Sequence, residues 1–85
     1  MKILYFASVR EAIGLEGETV EPPEGVDTPR KLAEWLRSRS EAHGRAFEDL
    51  SAVRAAVDMK VRFLDEPLGE AESVAFFPPM TGGAR

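Results

Sequence analysis

Residues 74–85 read VAFFPPMTGGAR. Val74–Phe77 has no polar alternation, so with Ser73 before it the segment predicts a strand covered on both faces. Pro78 and Pro79 then stop that strand, because neither has a backbone N–H to give a ladder. Only one other stretch has this character: Lys2–Ala7 (KILYFA), at the opposite end of the chain. The two most apolar strands are therefore expected side by side in the middle of one sheet.

The rest of the chain supplies what such a sheet needs. Ser8–Gly14 predicts a short helical turn, with Ser8 as its cap, Glu11 three residues on and Gly14 closing it. Glu18–Glu21 alternates and predicts a second strand, in a hairpin with the first, ending at Pro22–Pro23. The clearest helix starts at Asp27-Thr28-Pro29: Thr28 can cap it, and Pro29 fits the first helical position. Leu32, Trp35 and Leu36 form its apolar stripe, and it ends near Ser38–Ser40. A weaker turn is expected around Ala46, Phe47 and Leu50, with Gly44 as a break before it. Ala55–Val57 and Lys60–Phe63 predict short strands joined by a tight turn at Asp58-Met59, and Asp65–Gly69 is turn chemistry. Strand, strand, helix, short strands and a final apolar strand describe an α+β roll of the β-grasp type: a mixed sheet with one main helix on one face.

Composition narrows the function classes. Eighty-five residues make one domain, read as a body over 1–77 and a flexible tail over 78–85. No apolar run approaches the ~20 residues that span a bilayer, and the N-terminus is too alternating for a signal peptide. A cytoplasmic location is expected. The absence of cysteine excludes disulfides, thiolate metal sites and thiol nucleophiles. A net charge of −4 opposes nucleic-acid binding, and Arg30, Lys31, Arg37 and Arg39 alternate with Glu34 and Glu41 as a solvated helix face would.

Few groups could form an active site. His43, the single histidine, reads as an exposed loop residue. The acid pairs Glu16/Glu18 and Asp65/Glu66 lack companions at metal-ligand spacing. Gly14-Leu-Glu-Gly17 has neither the lysine nor the pattern of a phosphate loop. Tyr5 and Trp35 sit at core-facing spacing. The tail is different, because it leaves the last buried strand through a stiff Pro-Pro. Pro78–Gly83 can reach up to ~20 Å at ~3.3–3.6 Å per residue. A glycine thread enters narrow channels, and its carbonyl can be approached closely. A carboxylate that another protein must reach and activate has these requirements.

Three stretches together resemble a known family: LYFASVREAIG (4–14), AAVDMKVRFLDEPL (55–68) and ESVAFFPPMTGG (72–83). The chain resembles the MoaD-type sulfur carriers, the small subunits of molybdopterin synthase, and more distantly the thiamine-pathway carriers and ubiquitin. The resemblance implies that an activating enzyme uses ATP to adenylate the carboxylate of Gly83, next to Gly82, and that sulfur from a donor then makes a thiocarboxylate. It implies delivery of that sulfur to precursor Z in the pocket of a large synthase subunit, where the catalytic side chains belong. The chain itself would bind no metal and no cofactor, and would meet neither nucleic acid nor membrane. Docking would use Phe6, Val61 and Phe77, with Arg10 at the rim. Here Ala84-Arg85 follows Gly83, so activation requires their removal by a processing protease. A carrier for thiamine, tRNA thiolation or a tungsten cofactor, a protein modifier, and a plain β-grasp interaction domain are the alternatives.

Overall fold

The computed structural model of the chain describes residues 1–79. The elements are β1 (Lys2–Tyr5), α1 (Ala7–Ile13), β2 (Gly17–Thr19), α2 (Pro29–Arg37), α3 (Glu41–Ala46), a 3-10 turn (Leu50–Ala52), β3 (Arg54–Val57), β4 (Lys60–Arg62) and β5 (Ser73–Phe77). The strands form one sheet in the order β2-β1-β5-β3-β4. The two strands from opposite ends of the chain do meet at its centre: β1 and β5 run parallel, from Lys2 opposite Ser73 to Tyr5 opposite Phe76. The other neighbours pair antiparallel. This is the β-grasp arrangement.

Helix α2 starts where capping chemistry places it. The Thr28 side chain accepts the Lys31 N–H at 3.1 Å, and Pro29 occupies the first turn. Leu32, Ala33 and Leu36 are buried against the sheet's inner residues Ile3, Tyr5, Ala55, Val57, Val74 and Phe76. Phe47 completes this core edge-on to Phe76, with ring centroids 5.0 Å apart. Trp35 lies at the core's margin, with the Arg39 guanidinium 5.0 Å above its ring. Asp58-Met59 forms the expected tight turn, with φ of 49° and 73°, both left-handed. The Asp58 carboxylate accepts the Glu72 and Ser73 N–H groups at 3.0 Å each, so the β3–β4 hairpin is pinned to the start of β5.

Five local expectations are corrected. β1 stops at Tyr5 rather than Ala7, and the α1 cap is Phe6 rather than Ser8, with no side-chain cap bond. The reason is the sharp turn at Ala7 (φ 53°), made while the Phe6 N–H still donates to the Phe76 carbonyl at 3.0 Å. β2 covers Gly17–Thr19, earlier than the alternation suggested, because Gly17 lies against the Ile3 carbonyl where a Cβ would come within 2.7 Å. Gly44 sits inside α3 rather than breaking the chain before it, since Ser40 caps that helix by accepting the His43 N–H. His43 is buried, not an exposed loop residue, for reasons given below.

Candidate docking face

The inner residues of the sheet leave every second side chain for the opposite face. On β1 Ile3 and Tyr5 point to the core, so Leu4 and Phe6 point away from it. Phe6 is 47% exposed. The register sets Leu4 opposite Ala75, Ala75 opposite Ala56, and Ala56 opposite Val61, which is 69% exposed. One step along β5, Phe77 stands half-buried opposite Arg54 of β3. Three of the four expected docking residues, Phe6, Val61 and Phe77, therefore share one open apolar face. Arg10 is exposed on α1, one turn beyond Phe6. Monomer surfaces rarely leave such a patch without use.

This face lies at the end of the sheet from which the chain departs. β5 ends at Phe77, and Pro78 and Pro79 follow it, half-buried and outside the strand. Gly82 and Gly83 lie outside the described residues. Sequence reasoning did not single out Phe63, which is 82% exposed just after β4, nor Met59 at the hairpin tip. The expected strand ran to Phe63, and only the structure, which ends β4 at Arg62, shows that this ring has little to pack against.

Among the described residues the interior holds one polar cluster, on the helix side. Glu18 accepts a bond from the Tyr5 hydroxyl at 2.6 Å and meets His43 Nε2 at 2.7 Å through the same oxygen. The Ser40 hydroxyl lies 2.7 Å from His43 Nδ1. His43 is 7% exposed and packs edge-on to Tyr5. Burial alone would raise the Glu18 pKa, but hydrogen bonds from Tyr5 and His43, with the charges of His43 and Arg39, hold it below the ordinary glutamate value. Burial, then the bond to Glu18 and its negative charge, push the Tyr5 hydroxyl far up, so it stays a phenol. A serine, a histidine and a carboxylate in a row resemble a hydrolase relay. Here the serine oxygen is already the α3 cap, and one carboxylate oxygen serves both ring partners. The cluster ties β1, β2 and α3 together. Among the described residues no group of three or more His, Cys, Asp or Glu side chains is placed to hold a metal ion, and no helix is long and apolar enough to cross a membrane.

Residues 3–83 match the ThiS family, and that match ends on the second glycine of the pair. The chain belongs to the ThiS family. Similarity to individual ThiS-family relatives runs over nearly the full length of both chains. The molybdopterin synthase sulfur carrier subunit of Escherichia coli (strain K12) is 36% identical over 83 residues, covering 98% of this chain and 99% of the relative. A Pyrococcus furiosus structure described as molybdopterin converting factor, subunit 1, is 31% identical with a TM-score of 0.69, covering 93% of this chain and 95% of the other. SAMP1 from Haloferax volcanii, 22% identical with a TM-score of 0.68 over 96% of this chain and 97% of its own, shares the fold.

Proposed function

We propose that this ThiS-family chain is the sulfur carrier subunit of molybdopterin synthase. The observation that carries the reading is the coincidence of three features: an open apolar face at Phe6, Phe77 and Val61, a last strand that ends beside it in Pro-Pro, and a Gly-Gly shortly after. Its E. coli relative carries the corresponding name. An interface core favours aromatic anchors, and Phe6 and Phe77 are of that kind. Their partner is the large synthase subunit, with the tail directed into that subunit's pocket.

The chemistry belongs to the carboxylate of Gly83. That carboxylate attacks the α-phosphorus of ATP in an activating enzyme and releases pyrophosphate. Sulfide then displaces AMP and leaves a thiocarboxylate directly; a persulfide donor displaces AMP to give an acyl disulfide, which a thiol cleaves to the thiocarboxylate while the donor sulfur leaves in a mixed disulfide with that thiol. Transfer of the sulfur to the pterin precursor, with water supplying the replacing oxygen, returns Gly83 to a carboxylate. This chain contributes the docking face and a side-chain-free thread, and no general acid or base. Ala84 and Arg85 must be absent when Gly83 is activated, because an arginine side chain and its charge would occupy the position the carboxylate needs.

Intact mass after incubation with the cognate activating enzyme, ATP and a sulfur source tests the reading. A chain ending at Gly83 is expected to exchange one oxygen for sulfur, and the 85-residue chain only after trimming. Gly83→Val in the shorter form is expected to abolish the exchange with the thermal midpoint unchanged, since a β-branched side chain crowds the carbonyl. No exchange by the chain ending at Gly83 would make it a plain interaction domain. Equal exchange by both lengths would show that Ala84 and Arg85 are tolerated.

A further inference from the structure

The open face has a second margin, on the β3–β4 side. Arg54 stands opposite Phe77, where β5 ends, and its side chain is anchored before any partner arrives. Nη1 donates to the Ser51 and Val53 carbonyls, both at 3.1 Å. Because Ala55 pairs with Arg62, the next residue, Phe63, falls across from Arg54. Both line a groove of about 580 Å³ whose apolar wall is Leu50, Val53 and Val61.

The charge along this margin is one-sided. The acids bordering the groove are occupied: Asp65 binds Arg30 at 2.7 Å, and Glu66 accepts the Phe63 N–H at 2.7 Å beside Arg62. Of the two acids nearest Arg54 in sequence, Asp58 accepts the Glu72 and Ser73 N–H groups and Asp49 is held by Ser51. Among the described residues neither Arg54 nor Arg10 forms a salt bridge. A chain of net charge −4 thus sets on the β3 margin of its apolar patch an arginine, Arg54, that has no acidic partner among the described residues. An anchored guanidinium loses less freedom on pairing than a loose one, and it fits a carboxylate in two-point contact.

We propose that Arg54, with Phe63 beside it, is a further docking residue, and that it receives a carboxylate from an acidic margin on the large synthase subunit. The inference rests on the docking role of the Phe6–Phe77 face and adds to it the chemistry required of the partner. Phe63 covers the ion pair from the groove side and shields it from water.

Calorimetric binding to the large synthase subunit encoded by the same genome tests this at low and high salt. Arg54→Glu is expected to weaken binding about tenfold or more at low salt, and that loss shrinks near 1 M salt, where the screening length is about 3 Å. Arg54→Gln, which removes the charge without reversing it, is expected to fall between and to flatten the salt dependence. A purely structural role for Arg54 would lower the thermal midpoint of both variants and leave the salt dependence as in the parent, overturning the inference. Phe77→Asp is the reference. If Phe77→Asp abolishes binding while both Arg54 variants bind like the parent at every salt concentration, this inference fails and the docking reading stands. If Phe77→Asp binds normally, or if the face instead pairs two copies of this chain in sedimentation, both fail.

Discussion

Tyr5 and Phe6 are neighbours, as are Phe76 and Phe77, yet the two members of each pair have opposite fates. Tyr5 and Phe76 lie under the helices with essentially no exposed surface. Phe77, the last residue of β5, is half-buried, and Phe6, the residue after β1, is exposed. The residue types are nearly the same, and strand periodicity alone separates a place in the core from a place on the face proposed for docking. The helix side is closed by Leu32, Leu36 and Phe47 and sealed at its edge by the Glu18–His43 cluster. The open side has no helix over it, and it is the face proposed for docking. A two-faced sheet of this kind lets 85 residues hold one core and still offer an aromatic surface.

The sharpest way to break this contrast is to treat the adjacent phenylalanines alike. Phe76→Ala is expected to cost about 3–5 kcal/mol of folding stability, much of what a small domain has. Phe77→Asp is expected to cost under about 1.5 kcal/mol in folding, while docking to the large subunit loses several kcal/mol through an unpaired buried carboxylate. Chemical denaturation and binding titrations on both variants would measure this. Unfolding by Phe77→Asp would put that side chain in the core and erase the distinction between the faces.

A smaller effect is expected at the sealed edge. The Glu18 pKa lies below its ordinary 4.5 in the folded chain, so the unfolded chain binds its proton first as pH falls. Its contribution to stability is therefore fully present above about pH 4.5 and is lost as pH drops through the lower folded value. Glu18→Gln should show a shallower decline of thermal midpoint between about pH 5 and 3 than the parent. Equal slopes would mean that the bonds from Tyr5 and His43 do not discriminate between the carboxylate and the acid. Docking at neutral pH should not change.

The smallest effect concerns the hairpin tip. Met59 adopts φ 73° in the turn, a region that disfavours residues with a Cβ. Met59→Gly relieves that strain but adds unfolded-state entropy, so a net gain below about 1 kcal/mol is expected. Unchanged affinity for the large subunit would confine the docking patch to the sheet, and weaker binding would extend it to the tip.

Much of the body was legible because its signals are local. Thr28-Pro29 announced α2, Asp58-Met59 announced the hairpin, and the prolines after Phe77 announced the end of β5. His43 was misread because SEAHGRA looks like a polar loop, and nothing local reveals that Glu18, 25 residues away, waits beside it with Tyr5. Arg54 and Phe63 were missed for a related reason: each is ordinary in sequence, and only the register of β3 with β4 and β5 brings them together near Phe77.

Periodicity, capping residues, prolines and the Gly-Gly are properties of short segments, so the sequence alone determined the β-grasp order, the central pairing of first and last strands, and the family resemblance. Spacing put Tyr5 toward the core and the resemblance put Phe6 and Phe77 on the docking side, but alternation by itself defines two faces without saying which one a helix will cover. Tertiary structure made that choice. Once α2 and Phe47 pack on one side, the other apolar side chains are left facing out, and Arg54 becomes a neighbour of the strand that leads to the glycines.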